Sequence, residues 1–161
     1  MRRFLKYWLP LLIWLGVMFV GSTNLMSSEH TSRYIVPSLL WLNPEISPDT
    51  MWIIHVVVRK CAHVTEYAIL AFLMWRALRS CPALRTKATM CFGAVLLGCV
   101  LFATSDEFHQ TFVKSRTPSV HDVLLDVAGS LVGLLIGASF THRDPKKSAR
   151  TTQPQFMDAQ L

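Results

Sequence analysis

Charge is scarce in this chain. Of its 161 residues only 16% are Asp, Glu, Lys or Arg, while 52% are hydrophobic. Soluble domains carry about 25% charged residues, and disordered chains are more polar still, so the composition argues against both. Cysteine is sparse and unpatterned. Cys61, Cys81, Cys91 and Cys99 contain no C-x-x-C pair, and three of them lie in or beside apolar runs. That argues against a thiol catalyst or a disulfide framework and reads them as reduced, buried packing residues. Internal repeats and low-complexity tracts are missing. The net charge of +6 comes without a basic helix interleaved with aromatics, so no nucleic acid is expected as a partner.

What the chain does have is long apolar runs. Phe4 to Gly21 is broken only by Lys6 and follows Arg2 and Arg3. It is longer than a signal-peptide core and no A-x-A site follows, so an uncleaved anchor is expected. Pro10 lies in its first turns, where a membrane helix tolerates a kink. Met51 to Val58 is apolar apart from His55; Arg59 and Lys60 intervene before Cys61 to Leu78. Ala88 to Ala103 is clean and short, about 24 Å as a helix. Val120 to Phe140 is apolar except for His121, Asp122 and Asp126. The expected fold is an all-α membrane protein, a four-transmembrane-helix bundle over residues 1–140, with a polar, disordered tail at 141–161. The connection from Ser22 to Thr50, with Pro37, Pro44 and Pro48, reads as a loop carrying a short helix that lies on the membrane. Met51 to Val58 either begins the second helix above the bilayer or forms a re-entrant piece.

Basic residues set the expected orientation. Arg2, Arg3, Lys6, Arg76, Arg79, Arg85, Lys87, Arg143, Lys146, Lys147 and Arg150, eleven of the sixteen, fall on one side of a four-span path. The positive-inside rule then puts both termini in the cytoplasm of a cell whose cytoplasmic membrane the chain crosses. Trp8, Trp75, Trp41 and Trp52 fall near the expected interfaces, as an aromatic belt does.

Ionisable residues inside spans are costly and mark candidate sites. On a helix of about 100° per residue, Arg59, Lys60, His63, Glu66 and Tyr67 share a stripe of roughly 120°. His63 and Glu66 stand three residues apart, within reach of each other. The third span ends in Asp106, Glu107, His109 and Gln110, of which Asp106, His109 and Gln110 share a face. The fourth opens near Arg116, with Ser119 and Asp122 spaced as a capping box. Asp122 and Asp126 lie one turn apart on a face that continues as Gly129, Gly133 and Gly137, a small-xxx-small stripe suited to close helix packing. In the four-span path all these polar clusters fall at the extracytoplasmic ends of their helices, forming one site near the outer leaflet.

Four chemistries are open to such a site. It can be a structural ion-pair network, for instance Glu66 with Arg116 or Lys60 with Asp106. It can hold an anionic head group on Arg59, Lys60, Lys114 and Arg116. It can bind a divalent metal through His63, Glu66, Glu107 and His109, although the spacing is not a zinc signature. It can carry out acid–base hydrolysis, with His as base and Arg steadying an anion.

The pattern Lys60-x-x-His63-x-x-Glu66-Tyr67, then Asp106-Glu107-x-His109-Gln110-x-Phe112, then Arg116 with Asp122 and Gly129, resembles the VanZ-like family over about residues 4 to 140. This chain has Asp126 where that family often has Asn, and Ser115 where Gly often precedes the Arg. The resemblance implies a multi-pass bacterial cell-envelope protein, with a link to tolerance of the glycopeptide teicoplanin, and brings no assigned reaction. The leading expectation is a protein that binds or modifies an anionic lipid or lipid-linked envelope intermediate. Lys60, Arg116, Tyr67 and Gln110 would contact the anion. His63, Glu66, Asp106, Glu107 and His109 would supply acid–base or metal chemistry, and Asp122 and Asp126 would orient the cations. The competing expectation is a non-enzymatic interaction or resistance factor whose polar cluster is structural. A proton-coupled transporter fits less well, because no polar path continues to the other side.

Overall fold

The computed structural model describes residues 2–23, 28–112 and 119–142. Among them all regular structure is helical: α1 (Arg2–Ser22), α2 (Ser28–Leu42), α3 (Pro48–Ser80), α4 (Ala88–Gln110) and α5 (Val120–His142). Beyond His142, the residues of the expected tail lie outside the described ones, as do 113–118.

α1, α4 and α5 are long and apolar enough to cross a membrane. α3 exceeds them in length, at 33 residues, but not in apolarity, because Arg59, Lys60, Glu66, Arg76 and Arg79 interrupt it. Three candidate spans therefore stand where the sequence leads one to expect four. At 1.5 Å per residue α3 runs about 50 Å, well beyond a hydrocarbon core of roughly 30 Å. Its start is sharply fixed. Ser47 caps it by accepting the Thr50 N–H at 3.2 Å, and Pro48 sits at the first helical position, where a missing N–H costs nothing. Met51 to Val58 is thus the opening of one continuous helix and not a re-entrant piece. α2 is a full 15-residue helix with Pro37 inside it, longer than the apolar patch at Leu39 to Leu42 suggests, and among the described residues it packs against α3.

Contacts between helices give their directions. Lys60 meets Asp122 and His63 meets Asp126, while a Cβ on Gly129 would meet Val64 and one on Gly133 would meet Ala68. Partner numbers rise together, so α3 and α5 run parallel. α1 is antiparallel to α3: Tyr7 lies under Arg76 and the Trp14 indole N–H donates to the Glu66 carbonyl at 3.1 Å. α4 is antiparallel to α5, with Glu107 at Ser119.

The core follows the same logic. Cys91, Val95, Cys99 and Ala103 recur every fourth residue on α4, all small and fully buried, and meet Tyr67, Leu70, Ala71 and Trp75 of α3 and Leu134 of α5. All four cysteines are free, but only Cys91 and Cys99 are buried; Cys61 is exposed. Outward faces carry Ile13, Val17, Leu97, Leu101, Leu124 and Leu135, all exposed, an apolar girdle that water does not favour and lipid does. At the opposite end from the polar residues, Arg76 donates to the Lys6 carbonyl at 3.1 Å and Arg79 stacks over Trp75.

Candidate functional site

The directions of the helices bring one end of each to the same place: the end of α1, the first half of α3, the end of α4 and the start of α5. Lys60 and Asp122 form its rim. Lys60 Nζ donates to Asp122 Oδ1 at 2.8 Å, and Arg59 Nη2 lies 3.7 Å from the other carboxylate oxygen. The Lys60 side chain is 45% exposed, so the pair contributes under about 1 kcal/mol. Arg59 is ion-paired with Asp122 but too far for a hydrogen bond, and its buried Nε and Nη2 have no hydrogen-bond acceptor among the described residues.

One turn deeper, His63 Nδ1 lies 3.1 Å from Asp126 Oδ1, with both side chains buried. A carboxylate there accepts the ring N–H and fixes the imidazole, the arrangement a general acid–base histidine uses. Ser130 Oγ donates to the Asp126 carbonyl at 2.8 Å. Tyr67 is buried beside them, within electrostatic reach of Asp126, Asp106 and Glu66.

α4 supplies the third wall. Glu107 Oε2 accepts the Ser119 backbone N–H at 2.7 Å, so a carboxylate from one helix satisfies a donor at the N-terminus of the next. Ser119 and Asp122 do not act as the capping box their spacing suggests. Ser119 Oγ takes the His121 N–H at 3.2 Å, and Asp122 is drawn to Lys60 and Arg59 instead. Gln110 Nε2 donates to Asp106 Oδ2 at 2.8 Å. Glu107 lies within electrostatic reach of His63, Asp122 and Asp106, and Asp126 within reach of the same three.

α1 closes the fourth side, which nothing in the sequence pattern pointed to. Ser22 is buried with its Oγ 3.4 Å from His109 Nδ1, and Phe19 packs on the His109 ring. Gly21 lies against Glu66, whose carbonyl also holds Trp14. His109 thereby faces α1, while His63 faces α5. Among the described residues no three His, Cys, Asp or Glu side chains gather in a way that holds a metal ion. His63, Glu66, Glu107 and His109 are therefore not assembled as a ligand cage. Arg116 and Lys114, expected at the site, lie outside the described residues. Gly129 and Gly133 lie against the α3 backbone and Gly137 against the Trp75 ring.

Three acceptors deep in the cluster have no donor among the described residues: Glu107 Oε1, Gln110 Oε1 and Asp126 Oδ2. Each such group costs about 1–3 kcal/mol when left unpaired. The site thus keeps free donors at its rim and free acceptors in its depth.

A bundle with an apolar girdle and ionisable side chains converging at one end defines a helical membrane protein. A family model described as VanZ/LLP1 matches residues 7–141, and the chain belongs to that family. No curated protein and no solved structure matches it.

Proposed function

We propose that this VanZ/LLP1 protein crosses the cell's cytoplasmic membrane four times with both termini inside. Its polar end then faces the outer leaflet and binds, or modifies, an anionic lipid or lipid-linked envelope intermediate. The orientation is supported by Arg76, Arg79, Arg85 and Lys87, which lie at the end opposite the polar site. The observation that carries the ligand class is the rim: Arg59, ion-paired with Asp122 yet with two buried N–H groups that make no hydrogen bond among the described residues, beside a half-exposed Lys60. Guanidinium and ammonium groups so placed favour a phosphate oxygen. Below them the His63–Asp126 pair stands where a proton could be taken from or given to the bound group. A protein that occupies such an intermediate would alter glycopeptide (teicoplanin) tolerance.

The test is native mass spectrometry of the gently purified protein and of the Arg59→Ala, Lys60→Ala double variant. Co-purified anionic lipid that drops about tenfold in the variant supports the reading. Undiminished lipid, or none in either, refutes it. The second reading, a non-enzymatic interaction factor with a structural polar network, is favoured by the pairing of Lys60 and His63 across helices. It expects the double variant to lose folded protein and not ligand.

A further inference from the structure

The rim accounts for a phosphate but not for what lies beneath it. Glu107, Gln110 and Asp126 are 7%, 1% and 0% exposed, and each presents an oxygen with no donor among the described residues. These are not merely neighbouring acids. Gln110 is neutral, and its nitrogen is already committed to Asp106, so its free atom can only accept. Glu107 has one oxygen committed to Ser119 and Asp126 one to His63, so each likewise has a single acceptor left over. The three come from two helices: Gln110 is bonded to Asp106, and Glu107 and Asp126 each lie within electrostatic reach of His63 and Asp106. Each of the three presents a single oxygen with a lone pair open, the geometry that a directional N–H or O–H donor meets.

The geometry points to a ligand of two parts: a phospholipid whose phosphate meets Arg59 and Lys60 and whose head group ends in hydrogen-bond donors, hydroxyl or ammonium, received by Glu107, Gln110 and Asp126. This rests on the reading of the rim as a phosphate site and adds the class of head group beyond the phosphate. A head group without N–H or O–H leaves the floor unpaired and binds less well. Donors on the ligand satisfy three oxygens that have no donor among the described residues.

Two lipid pairs with matched acyl chains test this on the full chain, by competitive retention in native mass spectrometry. Phosphatidylglycerol and phosphatidylmethanol have the same charge, but only the first has head-group hydroxyls. Phosphatidylethanolamine and phosphatidylcholine are both zwitterionic, but only the first has N–H donors. We expect the donor-bearing member of at least one pair to be retained about tenfold more strongly; the pair that discriminates identifies hydroxyl or ammonium as the source. In Glu107→Gln the Ser119 N–H still takes the amide oxygen, which turns the free acceptor into a donor, and the preference should fall to about twofold or less. Gln110→Leu, which removes an acceptor without adding a donor, should lower it in the same direction. Equal retention within both pairs overturns the proposed floor and leaves the phosphate rim standing. Retention of none of the four overturns both. If either variant fails to fold, the wild-type comparison alone decides.

Discussion

A methyl group added at Gly133 tests the central packing of the bundle. Gly133 is buried where α5 lies against α3, and a Cβ there would stand 2.7 Å from the Ala68 carbonyl carbon and 2.9 Å from its Cα, with the carbonyl oxygen nearer still. Real Cβ atoms essentially never come within 3.0 Å of such atoms. The obstacle is helix backbone, which cannot swing aside as a side-chain tip can, so Gly133→Ala forces the two helices apart. Overpacking costs about 1–3 kcal/mol, and a backbone clash belongs at the upper end of that range. Alanine returns about 1 kcal/mol through its better helix propensity. The net expected loss is about 2 kcal/mol, roughly a thirtyfold fall in the ratio of folded to unfolded protein. Gly93→Ala is the control, since nothing lies within 4 Å of its Cβ position; it should be neutral or slightly stabilising. Gly98→Ala meets the end of the flexible Met74 side chain, Cε at 2.6 Å and Sδ at 3.7 Å, and should fall between them. The assay is reversible unfolding in mixed micelles, followed by the distance between labels on α3 and α5. Equal midpoints for Gly133→Ala and Gly93→Ala would refute the close parallel packing of α3 and α5.

Other expectations follow from the polar end and from the orientation. Asp126→Ala should destabilise by about 3 kcal/mol by stranding buried His63, whereas Asp126→Asn, which can still accept its N–H, should cost about 1 kcal/mol; the same unfolding curve measures both. Lys60→Met should change stability by less than about 1 kcal/mol because the side chain is half-exposed, yet it should cut retention of anionic lipid several-fold. A variant that loses stability and keeps lipid would mark Lys60 as structural. For the four-span path, single cysteines at Trp52 and Thr111 should react with an impermeant maleimide on intact cells, and one at Arg85 only after permeabilisation. Labelling of all three from one side would exclude that path.

The polar face of α3 was legible because helical spacing alone places Lys60, His63 and Tyr67 together. The choice of partners was not. Spacing cannot decide whether Lys60 meets Asp106 or Asp122, because that depends on α3 and α5 running parallel, which follows from the whole connection through α4. The part played by α1 was hidden for a different reason. A single Trp or Ser in an apolar run looks like an interface anchor or a helix end, and nothing in the run says that Trp14 reaches a carbonyl of another helix or that Ser22 faces His109. Ser119 misled because a capping box is a local pattern, while its N–H was taken by Glu107, twelve residues away. The second apolar run was hard to delimit because α3 carries two patterns in one helix. Its polar stripe faces its neighbours, while Trp52, Ile53, Val57 and Val58 are exposed on the turns before it.

The two ends of the α3–α5 seam divide the work of the molecule. At Gly129 and Gly133 the backbones meet with no side chain between them, and at Gly137 α5 lies against the Trp75 ring, so close packing contributes to holding the pair together there. Toward Lys60 and Asp122 the same helices are separated by long ionisable side chains. Stability that depended on those ion pairs would require every oxygen to be paired. Stability drawn from the glycine contacts allows Glu107, Gln110 and Asp126 each to keep an open acceptor, at a cost that a small bundle could not otherwise carry. Oxygens left without a donor among the described residues are compatible with folding energy drawn from the seam, and the proposed ligand would supply their hydrogen bonds.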